Sequence, residues 1–422
     1  MKTLGLILVL TAAAACQQDN PNYCTGHIDN NCALGSGSSD GGTMACTGNT
    51  QCTSTSAPVC DTGGVCVACT DSELGACGNT TPICSNEACI ACTAHVQCTA
   101  SDACLPDGSC GTDSNVAYVS PTGTTENPCT FMSPCSTISR ALSTTHAPFI
   151  KVSGTISDNI TIARNVTILA DAGATLQSAS SNTPVVAIGG SGLAVEIDDL
   201  AITGGSSGSG FGVSVPSGVA AMLVLQRVTI TGNSAMGISF AGGTLTAKRC
   251  TLTANNGGGV YVTDSSYDLE NNIIAANGTP TSSVGGFEVV QGAVAAPHIF
   301  DFNTVADNIS TTNTTTGGVG VTCVINPAAE QFHDDIIWNN GTHELLKTGS
   351  DCTFTYSDIG PDGPASSGNM LNADPMLDVS YHIPTTSPAK DSADPTANEP
   401  VDIVGDSRPI GLHDDIGAFE TQ

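Results

Sequence analysis

A chain of 422 residues is too long for one ordinary core, so two or three units are expected. Charged residues are only 12% and aromatics 4%, while glycine reaches 47, which fits tightly stacked β turns better than a helical globular protein. Ten Lys plus Arg stand against thirty-nine Asp plus Glu, and the net charge of −29 repels nucleic acid, anionic lipid heads and acidic polysaccharides unless divalent cations intervene.

Residues 1–15 carry Lys2, an apolar run from Leu4 to Leu10, then Thr11 and a run of alanines ending at Cys16. A charged start, a short apolar centre and small residues before a cut site make a secretory signal, since a membrane span would need about twenty apolar residues. The placement of Cys16 resembles the lipobox of bacterial lipoproteins, with Ala13 where leucine is usual. That resemblance implies lipid attachment at Cys16, and Gln17 implies sorting to the outer membrane; otherwise the chain is periplasmic or secreted. Residues 16–45, with Gly35 to Gly42 rich in Gly and Ser, read as a flexible stalk. Gly37, Ser39 and Gly41 there match a nucleophile-elbow spacing, but no strand precedes them and no helix follows, so the match is coincidence.

Residues 46–110 form a cysteine-rich module. Cys52, Cys60, Cys66 and Cys69 are echoed by Cys77, Cys84, Cys89 and Cys92, and a partial copy runs through Cys98, Cys104 and Cys110. The pattern resembles cysteine-rich repeats in surface proteins of myxobacteria. Export favours disulfides, although the spacing Cys66-x2-Cys69 and Cys89-x2-Cys92 is also close to that of a zinc ribbon. Connectivity within a repeat cannot be read from sequence. Cys129 and Cys135 form a close pair and Cys323 and Cys352 another, leaving Cys250 as a buried, inert thiol.

Residues 117–422 change character. An aliphatic residue followed three places later by asparagine, with a further column two places before the aliphatic one that turns polar in the later repeats, recurs as Val228, Ile230, Asn233; Cys250, Leu252, Asn255; Asn272, Ile274, Asn277; Asn303, Val305, Asn308; and Asp335, Ile337, Asn340. By subtraction the asparagines are 22, 22, 31 and 32 residues apart. A period near twenty-two with inserts marks a solenoid, in which no repeat buries its apolar face alone. The expected fold is all-β, a right-handed parallel β-helix preceded by the small disulfide-rich module. Its aliphatic residues stack inward and Asn233, Asn255, Asn277, Asn308 and Asn340 stack at a turn, bonding along the axis and tolerating left-handed backbone. About nine coils fit between Phe149 and Ile359.

Tyr118 to Gly123, then Ser136 to Leu142, resemble the opening of many right-handed β-helix proteins, which implies a capping helix over Thr137 to Ser143. Asn372 to Pro375, Tyr381 to Ile383, Ser387 to Asp391, Asp402, Gly405, Arg408, Pro409 and Asp415 to Glu420 resemble the closing region of the choice-of-anchor Q family. The lipid at Cys16 would stand in for the C-terminal anchor of that family.

Enzymes are common among β-helices. A lyase needs Ca²⁺ held by carboxylates and a base on one outer face, and the coils hold few basic residues. Arg227 and Arg249 align on successive coils with Asn271 next, and two guanidinium groups about 5 Å apart would suit a uronate. Asp335 shares the column of Asn272 and Asn303 and is expected to cap a turn. Trp338 and Tyr261 are expected as exposed aromatic contacts. The reading is a surface-anchored, non-catalytic glycan-binding or adhesion protein, with an extracellular glycan or a surface protein as partner. The alternatives are a polysaccharide lyase or glycoside hydrolase, and a structural spacer. No nucleic acid is expected, membrane contact is through the lipid alone, and Ca²⁺ is the one cofactor left open.

Overall fold

The computed structural model describes residues 45–292, 298–311, 320–325, 330–341, 343–348, 352–361, 363 and 370–422. Cys16, the signal, nearly all of the stalk, and Cys24 and Cys32 lie outside the described residues. The chain divides into two compact units between Ala91 and Cys92.

In the first unit, short antiparallel hairpins pair Val59–Cys60 with Cys66–Val67 and Ile83–Ser85 with Ala88–Ile90. Disulfides cross-link each hairpin: Cys46 to Cys60 and Cys52 to Cys66, then Cys69 to Cys84 and Cys77 to Cys89. Each module therefore joins its first cysteine to its third and its second to its fourth. Cys66 and Cys69 fall in different modules and both are oxidised, which removes the zinc-ribbon alternative. Each bridge closes a loop of 12–15 residues and stabilises a unit this poor in apolar side chains by about 2–4 kcal/mol.

The third module, with Cys92 to Cys104 and Cys98 to Cys110, belongs to the second unit. Its Ala103 and Leu105 pack on Val116, Tyr118 and Leu169 of the solenoid. A short helix, α1 (Ile138–Thr144), follows; the Thr137 side chain caps it by accepting from the Arg140 N–H, and Ile138 and Ala141 are buried against the first coil. The bridge from Cys129 to Cys135 lies just before α1.

The coils stack in parallel. A nine-stranded sheet of very short strands runs from Thr155–Ser157 to Asp358–Ile359. Its central residues, Ile156, Leu176, Ile202, Ile230, Leu252, Ile274, Val305, Ile337 and Ile359, are each at most 1% exposed. A second, sixteen-stranded sheet carries the inward Leu223, Leu245 and Val260, so the two sheets enclose one continuous core. Phe287, Phe300, Phe332 and Phe354 fill its C-terminal end, where Cys323 bonds Cys352.

Polar ladders run along both ends of the short strands. The Asn255 carboxamide oxygen accepts from the Asn233 backbone and side chain, while its Nδ2 donates to the Asn277 oxygen and the Ile230 carbonyl. The ladder continues through Asn308 and Asn340 and ends on the Glu344 carboxylate. A parallel ladder passes from the Cys250 N–H through Asn272 and Asn303 to Asp335 and the Ser357 hydroxyl. All five turn asparagines are buried, so each amide is satisfied inside and none faces solvent. The left-handed backbone is not at these asparagines but at the residue before each: Gly232, Ala254, Ala276, Asp307 and Asn339. The ladder asparagine turns its amide inward, and its neighbour takes the strained angle.

Residues 370–422 lie over the outer face of the later short strands. Ala418 donates to the Thr304 hydroxyl, Asn271 to the Val401 carbonyl and Asp394 to Asp334. Outward residues such as Ile273 and Ile336 are consequently buried, whereas Thr229 and Thr251 on the two coils before Ile273 remain half-buried. Residues of the closing motif fold this segment. The Asp402 carboxylate collects N–H groups from Val404, Gly405, Asp406 and Glu420, and Arg408 lies over Phe302 while bonding the Asp415 and Gly417 carbonyls.

Candidate functional site

One column of turn residues positions the charged groups of interest. Asp199, Arg227, Arg249, Asn271, Phe302 and Asp334 occupy successive coils, all with positive φ between 54° and 62°. Left-handed backbone costs about 1 kcal/mol or more for such side chains, and the ladder bonds beside them hold it in place. The column borders a cleft of about 820 Å³, walled on the other side by Thr93 to Val96 and Cys104 to Pro106 of the third cysteine module. The same contacts of Ala103 and Leu105 that fuse this module to the coils create the cleft.

Arg227 and Arg249 both line the cleft but do not form a free pair. Arg227 is held bidentate by Asp199, at 2.6 and 2.7 Å, and this bond raises its pKa. Arg249 donates Nε to the Ile403 carbonyl and rests against Gly405, and burial, then Arg227, lowers its pKa. The expected two-guanidinium seat for a uronate is therefore absent. Trp338 is half-buried against Leu371 and Leu377 of the closing segment, not an exposed contact. Tyr261 is outward, between Ser239 and Glu288 on adjacent coils.

Four aspartates line the cleft: Asp102, Asp171, Asp198 and Asp199. Lys151 pairs with Asp171, and Arg227 with Asp199. Asp198 is 9% exposed, and its Oδ1 is buried with no hydrogen-bond partner among the described residues. Burial, with the Glu196 charge, pushes its carboxyl up to about 7. His95 accepts the Cys104 N–H at Nδ1, so its proton sits on Nε2 as a donor, and burial lowers its pKa. Ala94, Leu105, Pro106 and Leu169 supply apolar wall. The sequence marks Asp198 and Asp199 as an acidic pair, as it does Asp334 with Asp335 and Asp414 with Asp415, but not the burial of Asp198, because the cysteine module that buries it is distant in the chain.

A second cluster lies on the outer face of the long-stranded sheet. Lys248 reaches Glu270 at 2.7 Å and Asp268 at 3.1 Å. Burial opposes its charge, but these carboxylates outweigh burial and raise its pKa. Next to it Glu270, Asp301, His333, Asp334, Asp394 and Glu399 line a groove of about 270 Å³. Burial, then Glu270, drives Asp301 to about 7, and burial does the same for Asp334. The sequence reading found only Asn271 and Asn272 beside the arginines. The carboxylates are brought together by coils lengthened to 31 and 32 residues and by the closing segment, neither of which a fixed 22-residue period reveals.

Cys250 is fully buried, and burial raises its thiol to about 12, so it is no nucleophile. Asp335 Oδ1 accepts from the Asn303 backbone N–H and side chain, so Asp335 is part of the ladder. Within the core, Glu330 accepts from the Tyr267 hydroxyl at 2.6 Å and lies 2.9 Å from His298 Nδ1. Groups of three ligand atoms within 4.8 Å, among the described residues, are all cysteines already held in disulfides.

With the coils and cleft in view, the chain is an all-β protein with a right-handed parallel β-helix behind a disulfide-rich module. A family model described as "Right handed beta helix region" matches residues 184–359. The crystal structure of pectate lyase Pel9A is similar at 15% sequence identity and a TM-score of 0.44, covering 73% of this chain and 96% of that one. No curated protein matches the sequence.

Proposed function

We propose that this is an exported surface lipoprotein, anchored through Cys16, whose β-helix binds glycan in the cleft beside Asp198 without cleaving it. The observation that carries the reading is the buried, unpartnered Asp198 carboxyl on the wall of an open cleft. Leaving such a group unsatisfied costs about 1–3 kcal/mol, and a sugar hydroxyl or similar donor removes that cost. Polar groups over an apolar wall, in a space of this size, are what a sugar ring requires. The chain's resemblance to the choice-of-anchor Q closing region supports a place at the cell surface.

The state of two basic side chains supports binding without cleavage by a lyase route. Arg227 is occupied by Asp199, and Lys248 is kept protonated by Glu270 and Asp268. Neither is free to abstract a proton. One observation favours the second reading, a lyase or hydrolase: Asp301 and Asp334, both near 7, share one groove with His333. The test is a glycan array probed with the purified ectodomain and with Ala172→Trp, which fills the cleft from an exposed turn residue. Binding lost in the variant, with no shortened or unsaturated product, supports the reading. Product formation by the wild type, undiminished in Ala172→Trp, would replace it with the enzyme.

A further inference from the structure

Charge bookkeeping in the cleft narrows the ligand. Asp171 and Asp199 are already neutralised by Lys151 and Arg227. Asp198 makes no ion pair of its own and feels only the nearby charge of Arg227, which Asp199 already holds; its outward position between Leu169 and Gln226 on the neighbouring coils leaves the cleft for a direct partner. Arg249, two coils along and so about 10 Å away, is turned toward the Ile403 carbonyl. A carboxylated ligand would meet Asp198 and the −29 charge of the chain, whereas a cation is drawn by both.

Resting on the reading of this cleft as a glycan site, we propose that the sugar it selects is a cationic amino sugar, whose ammonium group pairs with Asp198. A neutral hydroxyl satisfies one lone pair of that carboxyl. An ammonium also supplies the directly bonded cation that Asp198 lacks, in a hydrogen bond about twice as strong. Burial and Glu196 hold the empty carboxyl near 7, and a bound cation draws it down into the ionised form. His95, with its proton on Nε2, donates to a ring hydroxyl or an acyl oxygen of the same oligosaccharide. Apolar Leu169 and Pro106 face the ring itself.

The experiment is titration calorimetry of the ectodomain near pH 6 with glucosamine oligosaccharides, their N-acetylated counterparts, glucose oligosaccharides and a lysine oligomer. The glucosamine form is expected to bind roughly tenfold or more tightly than the N-acetylated form. Asp198→Asn, which keeps the shape and removes the charge, abolishes that preference, and an unchanged circular dichroism spectrum reports that the variant folds. In the wild type alone, raising the pH until the sugar amine loses its proton removes the preference as well. Equal affinities for the two forms, or a preference that survives Asp198→Asn, overturns the inference and leaves the glycan site intact. Lysine oligomers bound as tightly as glucosamine oligomers overturn it in favour of a protein ligand. Failure of every saccharide contradicts the glycan site itself.

Discussion

Arg227 meets Asp199 on the preceding coil through two parallel hydrogen bonds, Nε to Oδ1 at 2.6 Å and Nη2 to Oδ2 at 2.7 Å. Both side chains are more than a third exposed, so solvent screens the pair and it is worth less than about 1 kcal/mol. Its larger consequence is functional, because it removes the guanidinium from the cleft's free chemistry.

The backbone at Arg227 gives a stability test. Its φ is 55°, a conformation that glycine adopts without strain and alanine does not. Arg227→Ala and Arg227→Gly lose the same ion pair, but the glycine variant sheds the left-handed cost. It is expected to be the more stable by about 1 kcal/mol in denaturant unfolding. Equal midpoints for the two variants would contradict this account of the turn column.

The aliphatic ladder gives a test of register. Leu252 is fully buried, and Thr251 beside it is half-buried on the outer face. Leu252→Ala is expected to cost about 2–5 kcal/mol and Thr251→Ala less than about 1. Similar losses in thermal melts would mean that the strand is displaced by one residue.

This part of the fold was legible in the sequence because the inward position recurs as Ile230, Leu252 and Ile274 at a fixed spacing. The ladder of Asn233, Asn255 and Asn277 was legible for the same reason. The left-handed position was misplaced by one residue, since asparagine is the usual occupant and here alanine fills it at 254 and 276. Trp338 was misread because strand alternation says which side faces outward, and not that residues 370–422 return to cover that side. Asp198 was visible as one of several acidic pairs, but its burial was not, since that depends on a module about a hundred residues earlier in the chain.

Acidity gives a further test. Burial raises Asp198, Glu288, Asp301, Glu330, Asp334 and Asp358 each to about 7. A carboxyl raised above its unfolded value favours the fold when protonated, and that contribution is lost as pH rises through the folded value. The half-buried His95, His298 and His333 are lowered, so they act in the opposite sense, below the histidine value of 6.5. Between pH 6.5 and 8 the carboxyls dominate, and the melting temperature is expected to fall. Asp301→Asn is expected to flatten that decline; a melting temperature that rises over this range would contradict the assignment.

The anchor is tested by cell fractionation. No helix among the described residues is long and apolar enough to cross a membrane, and the proposed tether is the lipid on Cys16. Cys16→Ser is expected to move the protein from the membrane fraction to the soluble one. A variant that stays with the membrane would rule out the lipid as the anchor.

The most direct measurement is a crystal structure of the ectodomain grown with a bound oligosaccharide. The account predicts sugar density between the third cysteine module and the turn column, with a donor group within about 3 Å of the Asp198 carboxylate and a second contact at His95 Nε2. Sugar seated instead over Glu270, Asp301 and Asp334, with the Asp198 cleft holding none, would contradict it.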